Sequence, residues 1–312
     1  MIELQNLSKR FGTFRAVDDV SLTVGSGEVL GFLGPNGAGK STTMKMVAGF
    51  LMPTHGTVKV AGHDVIADPM SVKRAIGYLP EGAPLYPDMT PMGLLKFAAS
   101  ARDLPKATRR QSIERVIERV ELGSVRNKRI ETLSKGFKRR VGLGLAILHD
   151  PEVLILDEPT DGLDPTQKHH VRTLIKEMSQ GKVIVLSTHI LEEVEAVCTR
   201  AVIIAQGKLK FDGSPEELRL KSRYAGAVEL RLGSHVQGAR EALAGLAGVA
   251  AVEELPEQDG QPGWLVIAGE GGTVLSQVLA ASQEHNWHVT GIHVDRGRLD
   301  EVFRTITQGM VA

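Results

Sequence analysis

The sequence contains one cysteine, Cys198, in 312 residues. That excludes a disulfide framework and any multi-thiolate metal site built within the chain. An excess of charge is missing too: 37 basic side chains balance 37 acidic ones, so nothing draws the whole chain toward nucleic acid or an anionic membrane surface. Long hydrophobic runs are also scarce. VGLGLAIL, among the longest, falls well short of the roughly 20 apolar residues that span a bilayer. The opening MIELQNLSKRFG lacks the continuous apolar region of a signal peptide. These absences predict a cytoplasmic protein in which Cys198 is a packing residue and any membrane role comes through a partner.

What is present is an ordinary globular composition, 42% hydrophobic, with length for two domains that each bury a core. Residues 1 to 33 read as short strands turning at FGTF and GSG and ending in the buried run EVLGFLG. The helix that follows carries Met44, Met46, Val47 and Phe50. The stretch from about 91 to 148 is helical: Ile113, Val116, Ile117 and Val120 recur at i, i+3, i+4 and i+7 behind a capping box from Thr108 to Gln111. Its charged residues form a solvated face. EVLILDEPT, a helix over about 165 to 179, KVIVLSTH, another helix and AVIIAQGKLKFDG then alternate, which predicts a parallel sheet covered on both faces.

The composition changes near 214 to 226. From 227 a strand-helix-strand unit occurs twice, the order of a ferredoxin-like sandwich. The closing helix RLDEVFRTITQ sets Leu299, Val302, Phe303 and Ile306 on one face. We therefore expect a domain over 1–215, a linker over 216–226 and an accessory domain over 227–312. His285, His288 and His293 lack a metal-ligand spacing and read as ordinary strand and loop residues.

Chemistry concentrates in the first part. GPNGAGKS, residues 34 to 41, satisfies the phosphate-loop pattern between a strand and a helix. The run comprises Gly34, Pro35, Asn36, Gly37, Ala38, Gly39, Lys40, Ser41 and Thr42. Its glycines let successive amides turn around a β-phosphate, Lys40 reaches the β and γ oxygens, and Ser41 offers a hydroxyl to Mg²⁺. Asp157 ends the apolar run VLIL, where a carboxylate can hold Mg²⁺ directly or through its water. Glu158 follows as the group to orient or deprotonate an attacking water. His189 closes VIVLSTH and can hydrogen-bond a γ-phosphate and that water. A fourth segment, LSKGFKRR at 133 to 140, opens a helix with Ser134 as N-cap, so its free amides favour a negative charge.

With these motifs in order, residues 1 to about 215 resemble the ATP-binding subunit of an ABC transporter. The resemblance implies an α/β P-loop NTPase cassette with a parallel core sheet, an antiparallel β subdomain and a helical subdomain, here followed by the ferredoxin-like α/β domain. It implies ATP and Mg²⁺ as ligands, hydrolysis to ADP and phosphate coupled to transport, and a homodimer packed head to tail. LSKGFKRR matches the family's signature segment, so Ser134 and Gly136 would bind the γ-phosphate held by the neighbouring subunit. Phe11 stands where the family usually stacks an aromatic ring on adenine. Asp164, in DGLDP, matches the loop that crosses the dimer. Glu81, in IGYLPEGAPLYPDMT, takes the place of the glutamine that contacts Mg²⁺ and senses the membrane subunit. Lys135 and Phe137 stand where glycine and glutamine are commonest, a variant seen in the type-2 exporter branch.

The resemblance further implies a separately encoded multi-span permease, with Leu85, Tyr86 and Met89 as candidate contacts, and residence on the cytoplasmic face of the membrane. The carboxyl-terminal appendage is similar to that of the gliding-motility and drug-resistance exporters. Two other readings compete. A soluble ABC ATPase acting on ribosomes or DNA would usually carry a second cassette or a long coiled-coil insertion, and no nucleic-acid partner is expected. A binding module with a dead ATPase is opposed by the retention of Lys40, Ser41, Asp157, Glu158 and His189.

Overall fold

Strand runs that are apolar without alternation form the centre of the first part of the chain. The structure is a computed structural model and describes residues 1–82, 84–269 and 272–308. The chain begins with β1 (Ile2–Phe11) and β2 (Phe14–Val24), followed by β3 (Val29–Leu33) and α1 (Lys40–Val47). Next come β4 (His55–Val60), β5 (His63–Asp64), α2 (Pro69–Ala75) and β6 (Ile76–Leu79). Helices α3 (Pro91–Ala101), α4 (Lys106–Arg119) and α5 (Lys135–Ile147) precede β7 (Val153–Asp157), α6 (Pro165–Met178) and β8 (Val183–Thr188). The first unit closes with α7 (Leu191–Val197), β9 (Arg200–Ala205) and β10 (Lys208–Gly213).

β3, β7 and β8 are buried along their whole lengths. They lie in a sheet of order β10-β9-β3-β8-β7-β6, parallel except for β10. Such runs are what a sheet covered on both faces requires. Alternation survives inside them. Val153 and Ile155 of β7 join the core shared with the antiparallel sheet β2-β1-β4-β5, while Leu154 and Leu156 join the core shared with α3, α4, α5 and α6.

The capping box expected at Thr108 is not formed. α4 starts three residues earlier, at Lys106 behind Pro105, and has no side-chain cap. Pro105 holds an extended ψ at the helix entrance, so Thr108 falls in the first turn and its hydroxyl donates back to the Pro105 carbonyl, 3.4 Å away. Cys198 borders the core, and burial pushes its thiol up to about 12.

A second compact unit starts at Ser214. It contains α8 (Pro215–Arg219), β11 (Val228–Leu232), α9 (Ala239–Ala244), β12 (Val249–Gln258), β13 (Gln261–Ala268), α10 (Leu275–Glu284), β14 (Val289–Val294) and α11 (Leu299–Gln308). The antiparallel sheet order β12-β13-β11-β14 is the ferredoxin-like one. Val228, Leu230 and Leu232 pack with Leu243 and Val278 from the helices. Part of the stretch 216–226 read as a linker is instead α8, held by a reciprocal capping box between Ser214 and Glu217. Beyond it, Tyr224 is buried with the guanidiniums of Arg223 and Arg298 at 4.5 and 4.0 Å from its ring centre. His285 stacks on Trp287.

Candidate functional site

The site forms where β3, β7 and β8 end on the same side of the sheet. Gly39 precedes α1 with φ +109°, and a Cβ there would meet the Ala16 carbonyl at 2.5 Å, so only glycine lets the loop turn against β2. Lys40 follows as the first helical residue, 7% exposed. Its ammonium donates to the carbonyls of Gly34 at 2.6 Å and Pro35 at 3.2 Å. Burial holds its pKa below the ordinary lysine value, against the opposing pull of Glu158, Asp157 and Glu81.

Asp157, 1% exposed, accepts a hydrogen bond from the hydroxyl of Ser187, its neighbour across the parallel register of β7 and β8. Glu158 leaves the strand at φ +52°, a left-handed conformation that costs a non-glycine residue roughly 1–3 kcal/mol. The conformation is held by two backbone contacts. Its amide donates to the Ser187 carbonyl at 2.9 Å, and Arg139 of α5 donates to its carbonyl at 2.6 Å. Arg139 is buried and also donates to the carbonyls of Asp157 and Pro80, so one guanidinium ties α5 to the ends of β6 and β7. His189 Nδ1 lies 2.8 Å from Glu158 Oε1. A carboxylate oxygen accepts, so Nδ1 is the donor of this pair and Nε2 points away from Glu158.

A cleft of ≈ 400 Å³ is lined by Phe11, Phe14 and Ala16, by most of the loop from Pro35 to Thr42 including Lys40 and Ser41, and by Glu81, Asp157 and Glu158. Two aromatic rings thus share one cleft with the loop and three carboxylates.

The model of the family described as "ABC transporter" matches residues 17–161. The linearmycin resistance ATP-binding protein LnrL of Bacillus subtilis is 32% identical to this chain, over 98% of each. The chain belongs to the ABC transporter ATP-binding proteins. Among solved structures, an ATP-binding subunit of an ABC transporter aligns with a TM-score of 0.66 and 32% identity, over 70% of this chain and 92% of the other. A dimeric ATP-binding cassette bound to ADP and phosphate aligns with a TM-score of 0.64 over 69% of this chain and 99% of that one; at 23% identity it shares the fold. This ABC protein is an ATP-binding ATPase.

In this ABC ATPase the structure brings together Phe11, the phosphate loop, Glu81, Asp157 and Glu158 in the cleft, with His189 on Glu158. Ser134, Gly136 and Asp164 do not line it. Ser134 caps α5 through the Phe137 amide at 3.3 Å, and Asp164 caps α6 through the Gln167 amide at 2.9 Å. Gly136 packs so that a Cβ would meet Gln167 Oε1 at 2.8 Å and the Gly162 carbonyl at 3.3 Å. Leu85 and Met89 pack on the helical core, whereas Tyr86 is exposed and meets Phe97 edge to face at 6.1 Å. Sequence reasoning missed Phe14, which flanks Phe11, and Arg139. The excess of positive charge in LSKGFKRR is the one local hint of Arg139, and it does not say that Arg139 reaches the strand ends while Arg140, equally buried, bonds Glu121.

Proposed function

We propose that the chain powers transport through a separate membrane permease, closing on ATP as a homodimer and opening on hydrolysis. The observation that carries this is the meeting of Lys40, Ser41, Asp157 and Glu158 in one cleft, with His189 hydrogen-bonded to Glu158. In this reading Lys40 leaves the loop carbonyls for the β and γ oxygens of ATP, and Phe11 stacks on the adenine. Glu158 takes the proton of the attacking water as its oxygen bonds the γ-phosphorus and the bond to ADP breaks. His189 hydrogen-bonds the γ-phosphate and the water.

Ser41, Asp157 and Glu81 are hard oxygen donors that fit Mg²⁺, and the hydrogen bond from Ser187 leaves the second Asp157 oxygen free for it. Among the described residues no three His, Cys, Asp or Glu side chains cluster as a metal cage, which suits an ion whose remaining ligands are phosphates and water. Bound there, Mg²⁺ would neutralise charge on the β and γ phosphates.

Ser134 and Gly136, outside the cleft of their own subunit, serve the nucleotide of the neighbour. A groove of ≈ 810 Å³ lined by Phe50, Met70, Tyr78 and Ala101 offers an apolar seat for a cytoplasmic segment of the permease, and exposed Tyr86 and Phe97 lie on the connected helical region. Among the described residues no helix is long and apolar enough to cross a membrane, so the spanning part is assigned to the permease. The likeness along the whole chain to a protein named for linearmycin resistance supports export as the direction.

The test is purification of tagged Glu158→Gln protein in mild detergent with ATP and Mg²⁺, with co-purifying proteins identified by mass spectrometry. A multi-span membrane protein supports the proposal. Ribosomal proteins or DNA in its place would retain the ATPase and overturn its task.

A further inference from the structure

Behind the cleft, Glu193 of α7 is 1% exposed and faces two hydroxyls that are equally buried. Its Oε1 accepts from Thr160, two residues after Glu158, and its Oε2 accepts from Thr188 at 3.0 Å, one residue before His189. We propose that Glu193 is a positioning residue for hydrolysis, clamping the loop after β7 to the end of β8 and keeping the Thr188 hydroxyl away from Glu158. The proposal rests on the reading of Glu158 as the base.

One proton is shared between two carboxylates here. The Thr188 Oγ1 lies 3.0 Å from Glu193 Oε2 and 3.4 Å from Glu158 Oε2, and it accepts from the Ile190 amide at 3.1 Å. A hydroxyl donates once. While Glu193 takes that bond, Glu158 Oε2 is free to accept from water. If Glu193 cannot accept, the hydroxyl turns to Glu158 Oε2 and occupies the oxygen that would otherwise receive the water.

A carboxylate is also an expensive way to fill this space. Glu193 is hydrogen-bonded by two neutral hydroxyls and forms no ion pair among the described residues, and a buried carboxylate held only by neutral partners is commonly less stable than an apolar residue of the same size. Burial raises the Glu193 pKa; the hydrogen bond from Thr188 and the positive charges of Arg172 and Lys168 on α6 oppose that, while the charge of Glu158 adds to it, and the neutral Cys198 thiol lies on the same side. Clamping the two ends of the hydrolytic machinery accounts for a carboxylate at that point.

The experiment compares Glu193→Gln, Thr188→Val and the double variant in the full chain, measuring kcat and the Kd for ATP. Glutamine keeps the size but presents one acceptor and one donor. Glu193→Gln is expected to lower kcat about tenfold while Kd changes less than about twofold. In the Thr188→Val background the same substitution should cost less than about twofold, because the competing hydroxyl is gone. Equal costs in both backgrounds, or parental kcat in Glu193→Gln, overturn the proposal. If Glu193→Gln does not fold, Thr160→Val breaks the other arm of the clamp, and unchanged kcat there overturns it equally. Glu158→Gln is run alongside: parental turnover in that variant sinks the base assignment, whereas a dead Glu158→Gln beside a fully active Glu193→Gln sinks only the role of Glu193.

Discussion

Lys135 Nζ lies 2.9 Å from Asp161 Oδ2, tying the first residue of α5 to the loop that leaves Glu158. Both side chains are largely exposed, so the pair contributes well under about 1 kcal/mol to folding. Its consequence lies in assembly. For the Lys135 ammonium to reach a phosphate held by a second subunit, it must exchange Asp161 for that phosphate. Lys135→Ala should leave the unfolding midpoint unchanged and raise the ATP concentration that half-dimerises the Glu158→Gln protein by roughly fivefold, a loss of about 1 kcal/mol. Sedimentation against ATP concentration checks it, and the difference from Lys135 should shrink in high salt.

Glu81 is one of three carboxylates whose charge supports the buried Lys40. Glu81→Gln removes that charge and a hard oxygen ligand together. The Mg²⁺ concentration giving half-maximal hydrolysis should rise roughly fivefold, equivalent to about 1 kcal/mol. Steady-state ATPase rates over a Mg²⁺ titration at fixed ATP measure it.

Gly136 has no room for a side chain on the face toward α6. The Gln167 side chain could move from a new Cβ, but the Gly162 carbonyl is backbone. Gly136→Ala should therefore shift the start of α5, lowering kcat by about tenfold or more while the monomer's affinity for nucleotide is retained. Titration of a fluorescent nucleotide into dilute protein, beside turnover, separates the two.

His149 supplies a pH dependence. Its Nε2 lies 3.0 Å from the Ile76 carbonyl and 2.8 Å from an Arg102 nitrogen, and burial with that guanidinium alongside pushes its pKa down to about 4. A histidine kept neutral in the fold but free to charge on unfolding binds fewer protons when folded. Its stabilising effect is complete above the unfolded value of about 6.5 and is lost as pH falls from there toward 4. The loss is at most about 3 kcal/mol, less with the screening of a partly exposed ring. His149→Gln should flatten the fall in urea stability between pH 6.5 and 4.

The phosphate loop was legible because its chemistry is local. The amides that can surround a phosphate, Lys40 and Ser41 are contiguous, and the strand before them is an apolar run whose character survives any tertiary arrangement. Asp157 and His189 were legible for the same reason, each closing such a run. The start of α4 was misplaced because Pro105 imposed an extended backbone ahead of the hydroxyl that would have capped it. The capping box at Ser214 is written in the sequence as S-P-E-E, inside a stretch whose change of composition reads as a linker.

By itself, then, the sequence determined the order of strands and helices, the phosphate cradle and the carboxylates at the strand ends, because spacing along one chain sets all of them. Only the tertiary structure decided that Arg139 turns inward to the carbonyls of Pro80, Asp157 and Glu158, and that Glu193 joins Thr160 to Thr188. These bonds cross between elements. Their existence depends on register and on how helices seat against the sheet, and the 3.6-residue and two-residue periods say which face is buried without saying which polar group on it meets which.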